Sequence, residues 1–218
     1  MSDFFNKTDL SRNDAEKIIS ETLNNCDDGE LYLENSKRES ILLDDGKIKN
    51  STYSSDLGYG LRAVTGEVVA YSHSNEISKN SLKQSADNLK STLKSAKGTY
   101  NYSIPKSNKK YYENINPIEQ KSLKNKVEIL NEVNKYLRSK DSSVKQVTAN
   151  FSGEQKSIEI IRSGGETLTD VRPLIRFNVS VMLEKMEEKR QEYMELVEDN
   201  LMTLILRKIT GKMYAMKL

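Results

Sequence analysis

The 218-residue sequence has one cysteine, one histidine, no tryptophan and three prolines. A lone thiol, Cys26, excludes an internal disulfide framework and fits a reducing compartment. With one imidazole, neither an HExxH-type pair nor a Cys/His cluster able to hold zinc can be drawn from these residues. No apolar run approaches the ~20 residues that a membrane-spanning helix needs. The opening stretch, MSDFFNKTDLSRNDAEK, has no apolar segment of the secretory kind. Charge of one sign is lacking as well. Lys and Arg number 34 against 32 Asp and Glu, a formal +2 that leaves no basic footprint for nucleic acid. These absences predict a soluble, cytoplasmic protein with no membrane and no nucleic-acid partner.

What is present is enough for a core: 36% of residues are hydrophobic and 30% charged. Residues 10–25 read as a helix, with Ser11 as its cap and Ala15, Ile18, Ile19, Thr22 and Leu23 at helical spacing. From Glu30 to Ser74 the pattern changes to short strands, LYLE, SILL, KIKNSTYS, LGYGLRAV and VVAYSHS, separated by turns of which DDGK is the strongest. A second helix starts at Ser78, with Ile77 and Leu82 placed as a hydrophobic staple. Residues 99–116 form a tyrosine-rich linker of no steady period, of the kind that packs over neighbouring domains. Asn116-Pro117-Ile118-Glu119 predicts the start of a third helix, whose buried face would carry Leu123, Val127, Leu130, Val133 and Leu137. Strands VKQVTANF, KSIEIIRS and PLIRFNVSVMLE follow. In the last, Ile175, Phe177, Val179, Val181 and Leu183 share a face. The expected fold class is α+β: two modules of antiparallel strands with flanking helices, joined by a linker.

Little in this chain invites catalysis. His73 stands alone at a strand end, and a lone histidine is most often structural or solvated. Asp44-Asp45 and Gly164-Gly165 are turn residues, and no Lys-Ser/Thr follows the glycines to make a phosphate loop. No catalytic and no metal-binding residue is assigned. Gly58 and Gly60 share one strand face, where their missing side chains suit a close neighbour. With Arg62, Arg172 and Arg176 they form the candidate set for peptide or partner contacts. Surface pairing with Asp and Glu is the competing expectation for the arginines.

Two long stretches carry more than any single motif. YLENSKRESILLDDGKIKNSTYSSDLGYGLRAVTGEVVAYSHSNEIS and QVTANFSGEQKSIEIIRSGGETLTDVRPLIRFNVSVMLE resemble, in order, the N-terminal and central regions of the TldD/PmbA family of zinc metallopeptidases. DVRPLIRFNVSV is closer to TldD than to its paralogue PmbA, also called TldE. The resemblance covers residues 10 to about 192 and divides the chain into an N-terminal domain (1–98), the linker (99–116), the start of a central domain (117–192) and a tail (193–218). It implies a peptidase for small or unfolded peptides, a PmbA-type partner in a heterodimer, and one zinc held by an HExxxH helix and a later cysteine. None of those ligand positions occurs here, so the resemblance implies zinc for the full-length family and no cofactor in this chain. The expectation is a fragment inactive by itself, with the apolar face of 173–184 uncovered and the chain prone to self-association. The alternative is a stand-alone, non-catalytic module that binds a PmbA-type partner or peptides.

The tail departs from the family after KRQE (189–192). Read one base out of register, its codons permit a glycine-rich segment, an aromatic–acidic run and a tryptophan in family order. The expectation is therefore a shifted frame beginning near Glu192. Against it stands the helical spacing of Met194, Val197, Leu201, Leu204, Ile205 and Ile209, which suits an amphipathic helix.

Overall fold

The computed structural model describes residues 4–6, 8–94, 96, 111–185 and 188–198. In these, three helices, α1 (Arg12–Leu23), α2 (Lys79–Leu93) and α3 (Leu123–Lys140), accompany six strands. The strands are β1 (Asp28–Asp44), β2 (Lys47–Thr65), β3 (Val68–Ser74), β4 (Val144–Arg162), β5 (Thr167–Lys185) and β6 (Glu188–Glu198). They form one sheet in the order β3-β2-β1-β4-β5-β6, an α+β fold as expected. No helix among the described residues is long and apolar enough to cross a membrane.

The strands are longer than the sequence pattern suggests. LYLE and SILL belong to one 17-residue strand, and KIKNSTYS and LGYGLRAV to one of 19 residues. VKQVTANF and KSIEIIRS likewise fuse into β4. The polar middles that read as breaks are held instead by cross-strand side chains. Arg38 Nε donates to Glu154 Oε1 at 2.9 Å and Ser40 Oγ to Asn150 Oδ1 at 3.2 Å. Together with Gln146 donating to Asp44, these contacts run in opposite senses along β1 and β4, as antiparallel pairing requires. The DDGK turn forms as read, with Asp45 and Gly46 at φ of 50° and 75°, the left-handed pair of a type I′ hairpin.

Two compact units are interleaved along the chain: Met1–Ser36, Ser55–Tyr111 and Lys156–Val171 in one, Lys37–Ser54, Tyr112–Gln155 and Arg172–Leu218 in the other. This spatial grouping and the sequential division at the linker are different partitions of the same chain. Most of the linker lies outside the described residues. Within it, Tyr111 and Tyr112 are exposed.

In the first unit α1 and α2 begin where the caps predict. Ser11 Oγ accepts from Asp14 N at 3.1 Å and Ser78 Oγ from Ser81 N at 3.1 Å, each filling an otherwise orphaned first-turn amide. Ala15, Ile18, Ile19 and Leu23 of α1 and Leu82, Ala86 and Leu89 of α2 cover Leu31, Leu33, Tyr59, Leu61 and Ala63. The Tyr59 hydroxyl sits 2.9 Å from both Ser81 and Ser85, so its polar end is satisfied against α2. Glu159 of β4, almost wholly buried, meets Arg12 Nη1 at 2.5 Å, an ion pair between the sheet and the start of α1.

In the second unit α3 starts six residues later than the Asn-Pro signal predicts. Asn116 Oδ1 accepts from Ile118 N at 3.0 Å, closing a local turn, and residues 117–120 do not continue into the helix. Ser122 supplies the cap instead, accepting from Asn125 N at 3.3 Å. Leu123 is therefore a first-turn residue and is half exposed, whereas Leu130, Val133 and Leu137 are buried as read. They cover Ile41, Leu43, Val147, Ala149, Phe151, Ile175, Phe177, Val179 and Val181. The apolar face of 173–184 is thus packed under α3, which corrects the expectation that it lies uncovered. Met194 and Val197, placed at helical spacing, are in β6, where Val179 pairs with Met194 and Arg176 with Val197. The unsatisfied ladder of β5 outweighs a weak helical pattern there. The remainder of the tail lies outside the described residues.

One buried charge anchors this unit. Lys126, 3% exposed, pairs with Glu39, donates to the Ile118 carbonyl at 2.5 Å, and lies 5.5 Å above the Phe151 ring. Removing one partner of such a pair leaves the other charge buried and unpaired. Lys126→Ala is expected to lower stability by about 3–5 kcal/mol in urea denaturation, and Lys126→Met with Glu39→Met to recover most of that. Equal loss in the single and double variants would assign the cost to packing alone.

Candidate functional site

The candidate residues separate into two places. Gly58, Gly60 and Arg62 lie on β2 in the first unit; Arg172 and Arg176 lie on β5 in the second. The β2 residues face away from α1 and α2, because their alternate neighbours Tyr59, Leu61 and Ala63 are buried beneath those helices.

Gly58 and Gly60 border a shallow hollow with Tyr32, Glu34, Tyr71 and His73. A Cβ at Gly60 would fall 2.6 Å from Tyr71 Oη, and one at Gly58 2.8 Å from the Ser74 carbonyl oxygen. The close neighbour implied by the glycines thus comes from the adjoining strand β3, whose Tyr71 pairs with Arg62 and leans over Gly60. His73 stacks on Tyr71 with ring centroids 5.8 Å apart. Tyr32 Oη donates to Glu34 Oε2 at 2.5 Å, and Glu34 also pairs with Lys156 at 3.5 Å. Glu34 is therefore committed to partners within the chain.

Arg62 is committed too. Its Nη2 donates to Asp28 Oδ2 at 2.6 Å and its Nε to Glu30 Oε1 at 3.2 Å. Partial burial pulls the guanidinium pKa down, but the two carboxylates, Glu30 foremost, more than offset it and hold it above its ordinary value. The competing expectation, pairing with surface acids, describes Arg62. Arg172 is exposed and has an interaction within the chain. Arg176 is exposed on the face of β5 opposite Ile175 and Phe177, beside a groove of about 530 Å³ that also takes in Arg38, Ser40, Ser152 and Glu154. Sequence reasoning missed Tyr71, Arg38 and Ser152. Only Tyr71 had a signal, an aromatic on the strand paired with a glycine.

Among the described residues no three His, Cys, Asp or Glu side chains gather in a way that would hold a metal ion. His73 is exposed on β3, and the Cys26 thiol lies 3.9 Å from the Thr22 carbonyl beyond the end of α1. One imidazole and one thiol do not fit a zinc site, which takes about four N, S or O ligands in tetrahedral array.

The sequence pattern described as PmbA/TldA metallopeptidase domain 1 matches residues 29–97, and that of the PmbA/TldA metallopeptidase central domain matches 116–210. A metalloprotease TldD homolog of Buchnera aphidicola subsp. Schizaphis graminum is 35% identical over 162 residues, 74% of this chain and 34% of that protein. A TldD homolog of Haemophilus influenzae is 32% identical over 167 residues, with the same coverage. TldE of Thermococcus kodakarensis superposes over 86% of this chain and 43% of its own, with a TM-score of 0.66 at 15% identity. A candidate modulator of DNA gyrase from Bacteroides thetaiotaomicron gives 0.71 over 94% and 48%, at 16% identity. At these identities the solved structures speak for the fold alone. An α+β sheet protein with no metal-ligand cluster among its described residues is thus matched, domain by domain, to a peptidase lineage. The chain belongs to the PmbA/TldD metallopeptidase family. It spans about a third of the length of the curated relatives it matches.

The two glycines make different demands. Gly58→Ala drives a Cβ against backbone, whereas Gly60→Ala meets the end of an exposed ring that can swing aside. Thermal melts are expected to rank Gly58→Ala as the more damaging, by roughly 1–3 kcal/mol against less than about 1. Tyr71→Ser added to Gly60→Ala is expected to relieve the latter's cost; no relief would contradict the contact.

Proposed function

We propose that this chain is the N-terminal and central-domain portion of a TldD-like zinc metallopeptidase that hydrolyses small or unfolded peptides, and that it is inactive alone. The observation that carries the reading is the ordered match to two successive family domains over a third of the relatives' length. Its complement is the ligand inventory, one histidine and one cysteine in the whole sequence. The HExxxH helix and the later cysteine that the family uses for zinc have no counterpart in it, so no step of metal-assisted hydrolysis is derived from these residues. This chain contributes a scaffold: a sheet whose helix-free face shapes part of a peptide cleft or of the surface for a PmbA/TldE-type partner. A solved TldE with the same fold makes a paralogous pairing structurally natural. The single free thiol fits a cytoplasmic setting.

A second reading concerns the tail. A one-base shift near Glu192 would account for the loss of family resemblance there and for the order of residues in the alternative frame. Weighing against it are the pairing of β6 with β5 as far as Glu198 and the central-domain match reaching residue 210. A stand-alone module that binds a PmbA-type partner or peptides is the remaining alternative.

Purified chain, reconstituted with zinc and desalted, is expected to retain far less than one equivalent and to leave unfolded peptides uncut. Stoichiometric zinc together with hydrolysis would overturn the assignment. Co-purification with a PmbA-type paralogue would favour the partner-binding surface, and failure to co-purify would count against it.

A further inference from the structure

Of the arginines whose side chains are described, Arg176 stands apart. Arg12, Arg38, Arg62, Arg138 and Arg162 each lie within ion-pair distance of a carboxylate, and Arg172 has an interaction within the chain. The Arg176 side chain has no ion pair or hydrogen bond among the described residues, and it is exposed at the groove in the second unit. Four strands contribute to that groove: β2 through Ser54, β1 through Arg38 and Ser40, β4 through Ser152 and Glu154, and β5 through Arg176. At the usual inter-strand spacing it crosses roughly 14 Å, room for about four residues of extended peptide. Arg38 and Glu154 cancel each other at 2.9 Å. Glu39, whose chain also borders the groove, is neutralised by Lys126. Of the charged groups that line the groove, Arg176 is the one with no ion partner among the described residues. Beside it stand Ser40, whose hydroxyl donates to Asn150 and keeps a lone pair, and Ser152, whose hydroxyl accepts from Asn150 and keeps its hydrogen.

We propose that this groove binds an extended peptide by a carboxylate, with the Arg176 guanidinium as its anchor. A guanidinium presents parallel N–H donors that match the two oxygens of a carboxylate, and such charge-assisted pairs are about twice as strong as neutral ones. A single net charge suits a monoanion. The Ser40 oxygen, its hydrogen held by Asn150, accepts from a peptide N–H, and the Ser152 hydroxyl, which accepts from Asn150, donates to a peptide carbonyl. The carboxylate comes either from an Asp or Glu side chain or from a peptide C-terminus. This inference rests on the peptide reading above and names the ligand chemistry of one part of that surface.

The test is fluorescence anisotropy with the full chain and four dye-labelled tetrapeptides. One is neutral with a C-terminal amide, one neutral with a free C-terminus, one carries a central Glu and an amide, and one a central Lys and an amide. The two carboxylate-bearing probes are compared to find the source of the anion. At least one of them is expected to bind about tenfold or more tightly than the neutral amide, and Arg176→Ala to abolish that difference. Arg176→Lys is expected to restore only part of it, because the ammonium lacks the fork. Arg176 is exposed and its side chain has no ion pair or hydrogen bond among the described residues, so the variants are expected to melt with the parent. Equal binding of all four probes, unchanged by Arg176→Ala, would keep a peptide-binding chain but overturn this site. Binding of none would overturn the site while leaving the peptidase assignment to its zinc and hydrolysis test.

Discussion

Each compact unit is built around a carboxylate that the sheet turns toward its helices and that meets a helix-borne cation at ion-pair distance. In the first unit this is Glu159 with Arg12 at the start of α1; in the second it is Glu39 with Lys126 in α3. Neither carboxylate can be left alone, because a buried, unpaired charge costs several kcal/mol. Hydrophobic stripes alone would let a helix slide along the sheet with little penalty. The ion pairs fix the register of α1 and α3 on it. Lys126 goes further, since its ammonium also takes the Ile118 carbonyl and so pins the turn that leads into α3. The late start of α3 is then explained: residues 117–120 hold a carbonyl toward Lys126, a role they would lose in a helix that began at Pro117.

The same arrangement leaves the opposite face of the sheet for other work. In each unit the strand face turned away from the helices is polar and largely self-paired, with Arg62 held by Asp28 and Glu30 in the first, and Arg38 by Glu154 and Asp44 by Gln146 and Thr148 in the second. The Gln146 and Thr148 hydrogen bonds keep the Asp44 carboxyl below its ordinary value. Against this background of closed pairs, one open guanidinium at a groove is informative in a way that an arginine count is not. The proposed peptide reading has use for such a face, since extended chains are recognised chiefly through backbone and a few anchors.

Much of this fold was legible from sequence. The Ser11 and Ser78 caps, the type I′ turn at Asp45-Gly46 and the buried alternation of Ile175 to Val181 follow from local chemistry that tertiary context did not override. Strand length was not legible. The polar stretch from Asn35 to Ser40 looks like a break, and only cross-strand partners far along the chain, such as Glu154 and Asn150, make it strand. The cap of α3 was misread because Asn116 and Ser122 offer competing signals six residues apart and the Lys126 cluster chooses between them. At the candidate site the glycines told of a close neighbour but not that it is Tyr71. Arg62 and Arg176 look alike in sequence, and only the fold separates a guanidinium held by Asp28 and Glu30 from one with no ion pair among the described residues.

The central claim is that this chain is the front of a metallopeptidase whose zinc ligands are encoded elsewhere. Its most direct test is to sequence the DNA from the codon of Glu192 onward in all three frames, alongside the intact mass of the expressed protein. The account predicts an HExxxH reading downstream, in the same frame or one base away. Its absence from every frame, with the mass of the 218-residue chain confirmed, would contradict the claim and leave a non-catalytic member of the family.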